Sequence, residues 1–405
     1  MSRSVRPLSP LEVPSTPGTL SSASVDSPFS TYSWENFRGS PNAAPGVGVL
    51  DMFKLPPTPK PKRRRFTLRL RSKKKVVPCG AYDSNDSALL EYQVLLMKFT
   101  GSNGVIIDWY GRENFRDYSE IHRNSLNLIK HIKKAGLKFA ICYEDQSVKH
   151  LINDKKIKIS NDLSYAKKEF MWMEKHFFPD ESYLSINSQP VLLFFGPQHF
   201  KKNQWNPIVS VLKNKVQLFT LPHLNNQIQG AGSFGWPPVH GGQKITKDVW
   251  MNYLQKLYTD HNGKPFIPSV FYQFNDIYQQ AGIHKSYGYL DSSGGNTFEV
   301  TFQMALKSSS KIIQVATWND YGEGTIIEPT KEFGYRYLEF LQAYCIKNHE
   351  LSFNKNDLRL PLKLYQLRKK YQNNKGISRE LDQASLLLYD SRTKEARDIL
   401  IKHSH

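Results

Sequence analysis

From about residue 88 onward, short apolar runs alternate along this chain with longer segments of helical period. Ala88 to Phe99 has helix-compatible spacing, Gly101 to Gly104 breaks it, and Val105-Ile106-Ile107-Asp108-Trp109 then reads as a buried strand. Tyr118 to Ala135 carries Ile121, Leu126, Ile129 and Ile132 on one side of a predicted helix ended by Gly136, and Lys138 to Tyr143 follows as a strand. The same alternation predicts helices over Asp162 to Phe177, Trp205 to Lys213, Asp248 to Thr259 and Phe298 to Lys307. It predicts strands over Pro190 to Phe195, Val216 to Leu221, Phe266 to Tyr272 and Ile312 to Ala316, with a weaker one around Ala231 to Phe234. Amphipathic helices resume from about Leu358.

Strands alternating with helices imply parallel pairing through right-handed crossovers. The pattern predicts an α/β fold, a (β/α)8 barrel of the TIM type rather than an open doubly wound sheet, although strand count alone does not separate the two. Three regions follow: a basic low-complexity tail over 1–75, the barrel over 76–346 and a small helical appendage over 347–405 that packs on it and carries no legible chemistry.

Composition alters this picture mainly at the N-terminal end. Residues 1–75 are rich in Ser, Pro and Gly with little periodicity, a composition expected to be disordered because it cannot bury enough surface to offset ordering entropy. Only Thr67 to Leu70 alternates like a strand there, and too briefly to weigh. About half of the formal charge of +19 lies before Val76, and Lys54 to Lys75 contains no acidic residue. The block PKPKRRRFTLRLRSKKK reads first as a solvated tail, second as a nuclear-targeting or anion-binding patch. It lacks the interleaved aromatics of a nucleic-acid platform, so no specific nucleic-acid partner is expected. Three cysteines far apart, Cys79, Cys142 and Cys345, define no disulfide framework or metal motif. No run is apolar enough to cross a membrane and the first residues lack the apolar core of a secretory signal, so a cytoplasmic location is the default expectation.

A barrel gathers the residues just past its strand C-termini at one mouth. Here these are Asp108, Trp109 and Tyr110; Tyr143, Glu144, Asp145 and Gln146; Phe234, Gly235 and Trp236; Tyr272, Gln273, Asn275 and Asp276; and the run from Trp318 to Glu323. Singly, each has an equally weighty structural reading: Asp108 as a hydrogen-bond acceptor, Glu144 as a helix cap, Trp236 as a core ring. Recurrence of acidic and aromatic residues at so many strand ends is the stronger signal. The last apolar run stops at Trp318-Asn319-Asp320-Tyr321-Gly322-Glu323-Gly324-Thr325, with Glu328 close behind. Two carboxylates three residues apart can act as acid and base on a glycosidic bond, while Trp318 and Tyr321 can stack on a sugar ring. The plainer alternative is that Asp320 and Glu323 cap a helix beginning near Lys331.

The string WNDYGEGTIIEPT resembles the signature of glycoside hydrolase family 71/99-like proteins. It is similar to the WNDYGE block of family 71 alpha-1,3-glucanases and, more distantly, to the N-E-W-x-E-G-T block of family 99 endo-alpha-mannosidases. GVIIDWYG, LKFAICYEDQ, GSFGWPP, GYLD and the C-terminal LRLPLKLYQLRKKY and LDQASLLLYDSRTKEARDIL extend the resemblance from about Gly80 onward. It implies an enzyme cleaving an α-linked oligo- or polysaccharide, with Glu323 as general acid and Asp320 as partner base. The family 71 pattern has an Asp at that position and implies an activated water and inversion; the family 99 pattern implies retention through the sugar's own 2-hydroxyl. Relatives begin with a first barrel strand of the H-Y/F-x-P-W kind ahead of the G-x-Y-D-S block. No such strand is legible here, so it is expected to be missing or poorly replaced around Val76-Val77.

Glu323 must stay protonated near neutral pH to serve as the acid, which burial against Trp318 or Tyr321 and the Asp320 charge would favour. No cofactor or metal is expected: no H-E-x-x-H occurs, H-x-H is confined to His403-Ser404-His405 at the end of the sequence, and no Gly-rich phosphate fingerprint follows a strand. His240 beside Gly241-Gly242 is a loop histidine with no assigned role. The competing readings are a non-catalytic carbohydrate-binding barrel and a polysaccharide-biosynthesis relative, the latter needing a nucleotide-sugar site that is not legible.

Overall fold

The computed structural model, which describes residues 82–259, 263–308, 310–349 and 351–404, lays parallel strands side by side in chain order. They are β1 (Gly104–Trp109), β2 (Lys138–Tyr143), β3 (Gln189–Phe194), β4 (Gln217–Thr220), β5 (Gly232–Phe234), β6 (Phe266–Ile267 continued as Ser269–Val270) and β7 (Gln314–Val315). Between them run α1 (Ser87–Phe99), ahead of β1, then α2 (Tyr118–Lys134), α3 (Gln146–Asn153), α4 (Asp162–His176), α5 (Lys202–Val209), α6 (Lys247–Thr259) and α7 (Asn296–Lys307). Each strand pairs parallel with the next, from Gly104 opposite Lys138 at one edge to Val315 opposite Val270 at the other. The result is a curled parallel sheet of the α/β class.

Strand period divides the apolar side chains into two cores. Val105, Ile107 and Trp109 of β1 and Phe139, Ile141 and Tyr143 of β2 join the large cluster facing the helices. Ala140, Cys142, Val191, Leu193, Phe219, Phe234 and Ile267 form a separate cluster on the concave side, with Ile106 and Trp236 packed against it. A Cβ on Gly232 would run into the Pro265 carbonyl, so glycine lets β5 and β6 close up there. Pro268 marks where β6 changes partner: Phe266 and Ile267 pair with β5, whereas Ser269 and Val270 pair with β7. Proline has no N–H to donate, but its carbonyl still accepts from Gln314 N at 3.0 Å.

Between the edge strands β7 and β1 the described residues supply no strand, so they do not themselves form a closed eight-stranded barrel. The first barrel strand sought around Val76-Val77, the Thr67 to Leu70 alternation and the basic block all lie outside the described residues. Some boundaries differ from the periodic reading. α5 occupies Lys202–Val209 rather than beginning at Trp205, and α3 starts one residue after Asp145, where periodicity shows only a strand end. The helix expected near Lys331 begins at Arg336 (α8, Arg336–His349), after a turn closed by Gly334 N to Thr330 O at 2.8 Å. No described helix is long and apolar enough to cross a membrane.

α9 (Leu360–Lys370), α10 (Lys375–Tyr389) and α11 (Thr393–Lys402) pack together, and they also cover α1. Arg368 grips buried Glu91 of α1 through Nε at 2.6 Å and a second guanidinium nitrogen at 3.1 Å, and Ser385 donates to the same carboxylate. Lys98 Nζ caps the Tyr389 carbonyl at 2.7 Å. α1 is therefore buried nearly all round, which explains its lack of a polar face.

His131 of α2 sits at this contact, with Nδ1 2.8 Å from the Tyr389 hydroxyl. Burial, then the cations Lys134, Arg368 and Lys130, lowers its pKa to about 4. A folded pKa below the unfolded value means that the unfolded chain binds the extra proton. This contribution to stability is full above about pH 6.5 and is lost as pH falls through about 4. We expect the urea midpoint to drop over that window and the slope to be shallower in His131→Gln, with about 1–3 kcal/mol at stake. Equal slopes in the two proteins would remove His131 from the account.

Candidate active site

The segment after β7 is a loop that hydrogen-bonds chiefly to itself. Thr317 N donates to the Thr325 carbonyl (2.9 Å), the two threonine hydroxyls meet at 2.8 Å, and Ile327 N returns to the Thr317 carbonyl (3.1 Å). Within this frame Asp320 N donates to Thr317 Oγ1 (3.0 Å), and Asp320 Oδ1 accepts the Glu323 N–H at 2.8 Å. Gly324, at φ 67°, closes the turn by donating to the Asp320 carbonyl at 3.0 Å, a backbone conformation that glycine adopts without penalty. Asp320 therefore caps its own turn and not a helix near Lys331. Both carboxylates are 2% exposed.

The excursion after β6 docks on this turn. Asn275 N donates to the Glu323 carbonyl (2.8 Å), Ile277 N to the Gly322 carbonyl (3.0 Å) and Gln273 Nε2 to the Gly324 carbonyl (2.9 Å). Phe274–Asn275 then pairs antiparallel with Tyr289–Leu290, which runs parallel to Lys244–Ile245. Asp276 Oδ2 anchors the return by accepting from Ser286 Oγ (3.0 Å) and Tyr287 N (2.7 Å).

Across the sheet, Asp108 ends the concave-side set of β1, opposite Cys142, and Glu144 follows β2. Burial first, then the Asp108 and Glu144 carboxylates, pushes the Cys142 thiol well up, which places both acids beside the concave core. Gln146 Nε2 donates to Glu144 Oε2 at 2.9 Å. The Tyr287 hydroxyl is buried on the excursion after β6. After burial, the fields of Glu323, Asp276, Glu144 and Asp320 all raise its pKa far above a normal phenol. The loops after β2, β6 and β7 thus carry Glu144, Asp276, Asp320 and Glu323 beyond the C-terminal ends of the sheet, and Trp236 packs on Phe195 (rings 5.0 Å apart).

Other residues expected at the mouth are placed in supporting positions. Trp109 points to the helix layer, stacked on Trp172 at 6.0 Å, because it shares the parity of Val105 and Ile107. Tyr110 packs on Tyr118 (5.4 Å) and Tyr272 on Tyr337 (4.6 Å). Trp318 is buried in the helix-facing core rather than offered as a stacking platform. Asp145 accepts three backbone N–H groups from Gln198, His199 and Phe200 (2.7, 2.7 and 3.0 Å), bracing the loop after β3. Glu328 is fully buried, and its carboxylate accepts from Gln93 Nε2 (2.9 Å), Tyr321 Oη (2.8 Å) and Tyr82 Oη (3.1 Å). Burial raises the Glu328 pKa against those donors. Asn319 Nδ2 donates to the same Tyr82 hydroxyl at 3.0 Å, tying the loop to the start of the described chain. Strand parity and loop bracing describe the contacts of Trp109, Tyr272, Trp318, Asp145 and Glu328 in the structure.

Sequence reasoning missed Tyr287, Tyr278 and Ser286. Tyr278 lies under the turn, its hydroxyl 3.3 Å from where a Cβ on Gly322 would stand. The only sequence signal for this group was the S-Y-G-Y-L-D string, in which Gly288 allows the sharp return.

No family model and no curated protein sequence matches the chain. Solved structures do. The chain is similar to a "Glycoside hydrolase-like protein" at TM-score 0.51 and 14% identity, over 67% of this chain and 89% of that one. It is also similar to the GH99 endo-alpha-mannosidase from Bacteroides thetaiotaomicron in complex with bis-tris propane, at TM-score 0.53 and 15% identity, over 67% and 87%. The resemblance drawn from the WNDYGEGTIIEPT string is thereby matched at the level of the fold.

Proposed function

We propose that the chain is a glycoside hydrolase cleaving α-linked glycan, with Glu323 as the general acid and Asp320 as its partner base. The observation that carries this reading is the Asp320–Glu323 turn, braced by the excursion after β6, beyond the C-terminal end of a curled parallel sheet with a glycosidase-like fold. Acid and base chemistry on one acetal centre needs such a pair held at fixed spacing. The short Asp320 side chain suits a bridging water and therefore inversion. Glu144, Asp108 and Asp276 can accept hydrogen bonds from sugar hydroxyls, and Trp236 offers an aromatic edge. An acidic wall of this kind favours neutral sugars over uronic acids.

A second reading is favoured by one observation: Asp320 already has a structural task in its turn, so the barrel could bind glycan without turnover. The two separate in an assay of reducing-end release from α-glucans, α-mannans and mixed α-linked oligosaccharides, with glycan binding measured in parallel. We expect release from at least one neutral α-glycan, the first-formed product having the inverted anomeric configuration by NMR. Binding with no release across the panel would favour the non-catalytic reading, and a retained anomer would remove Asp320 as a water-activating base.

A further inference from the structure

Ser87 opens α1 and is exposed, and its hydroxyl lies 3.2 Å from His131 Nε2 on α2. The other ring nitrogen of His131, Nδ1, is 2.8 Å from the Tyr389 hydroxyl at the end of α10, and the two rings stack with centroids 6.5 Å apart. All three side chains border a cavity of about 440 Å³ between α1, α2, α9 and α10. Lys134, Ala88 and Leu386 line the same cavity and bring to it one cation and two apolar side chains. None of these residues belongs to the turn after β7 or to the loops that brace it.

A hydroxyl within hydrogen-bond reach of an imidazole that a third group orients is the arrangement that turns serine into a nucleophile. We propose that Ser87, His131 and Tyr389 form a second reactive centre that cleaves short acyl esters, with Ser87 as nucleophile and His131 as base. In the tautomer protonated at Nδ1, His131 donates to Tyr389 and turns its Nε2 lone pair to the Ser87 hydroxyl. Ser87 Oγ bonds to the acyl carbon while its proton passes to Nε2. The ester C–O bond then breaks, and the departing oxygen takes that proton from Nε2 and leaves as the alcohol. Water repeats the exchange on acyl-Ser87, releasing a carboxylic acid and the free serine. Ala88 and Leu386 offer apolar surface to the acyl chain, and the Lys134 ammonium favours the oxyanion.

With its pKa lowered to about 4, the His131 imidazole is neutral near pH 7 and free to accept a proton. A base so weak suits esters with good leaving groups, such as aryl esters, better than alkyl esters or amides. The charged groups around it are Lys130 and Lys134 on its own helix, Glu91 on α1, and Arg368 of α9 with its partner Asp382 of α10 (2.7 Å). Ester cleavage should therefore rise as pH passes about 4 and stay level to neutrality, whereas an exposed histidine would still be titrating near about 6.5.

The test exposes the full chain to a fluorophosphonate probe, maps the label by mass spectrometry, and follows cleavage of 4-nitrophenyl acetate. We expect the label on Ser87, and Ser87→Ala should lose it together with most of the ester cleavage while glycan turnover stays as it was. His131→Gln should slow labelling of Ser87 about a hundredfold, the low end of what a positioned base contributes. Because His131 also supports the fold, thermal melting accompanies each variant and Tyr389→Phe serves as the second one. It keeps the ring beside His131 but removes the acceptor for Nδ1–H, so labelling should slow severalfold. Wild type that takes no label at Ser87 would overturn the proposal. So would labelling as fast as wild type in whichever of His131→Gln and Tyr389→Phe remains folded. Neither readout involves glycan, so the result is independent of the glycosidase reading.

Discussion

Glu323→Gln is expected to cut hydrolysis of a cleaved glycan by about three orders of magnitude, within the range that a positioned general acid contributes. The amide keeps the size of the side chain. The Glu323 backbone N–H to Asp320 Oδ1 and its carbonyl to Asn275 N are main-chain contacts that survive the change. What disappears is the transferable proton, so the loss should fall on kcat rather than on KM. It should also depend on the leaving group. A glycosyl fluoride or dinitrophenyl glycoside needs little protonation to depart, so the variant should recover most of its rate on such a substrate. Asp320→Asn should not, because activation of water is still required. Undiminished glycan turnover by Glu323→Gln would take the acid role away from this residue, and equal losses on both substrate types would reassign it to another step.

Interpretation of that experiment depends on how the loop is built, and here the sequence was only partly legible. Strand and helix alternation was readable because it rests on local periodicity: β1, β2 and α2 lie within a residue or so of where apolar spacing puts them. The D-x-x-E spacing was readable as chemistry, but its local task was not. The Glu323 N–H bonded to Asp320 Oδ1 belongs to a turn, and periodicity contains no information about turns. Strand parity should have separated Asp108 from Trp109. They are adjacent in sequence, and a period of two sends one to the concave side and the other to the helices. Reading all polar and aromatic residues at a strand end as one group hid that distinction. Glu328 and Tyr287 lay beyond sequence reasoning for a different reason. Glu328 is defined by partners at residues 82 and 93, more than two hundred positions away, and Tyr287 by a chain return anchored on Asp276. Only the folded chain brings these together.

Asp145→Ala is expected to destabilise the protein by about 3–5 kcal/mol, a fall in melting temperature of about 10 °C for a domain of this size. Asp145 is 0% exposed and spends its carboxylate wholly on the backbone: Oδ1 accepts from Gln198, and Oδ2 from His199 and Phe200. Burial raises its pKa and those three donors lower it, with burial the larger effect. Truncation strands three N–H groups, that of buried Phe200 and those of half-buried Gln198 and His199, each costing about 1–3 kcal/mol where water does not reach it. Asn can keep its carbonyl on the His199 and Phe200 donors only by turning its amide nitrogen onto the Gln198 N–H, so Asp145→Asn should recover only part of the loss. The position cannot easily be rebuilt from the other side. A Cβ on Gly196 would come within 2.9 Å of Asp145 Oδ1, so the loop passes too close for any other residue there. That loop follows Phe195, whose ring meets Trp236 at the mouth. The stability loss should therefore be accompanied by weaker glycan binding at temperatures where the variant is still folded. Urea unfolding of wild type, Asp145→Ala and Asp145→Asn measures the first effect. A cost below about 1 kcal/mol for Ala, or complete rescue by Asn, would show that the loop finds other acceptors and that Asp145 is available to the site after all.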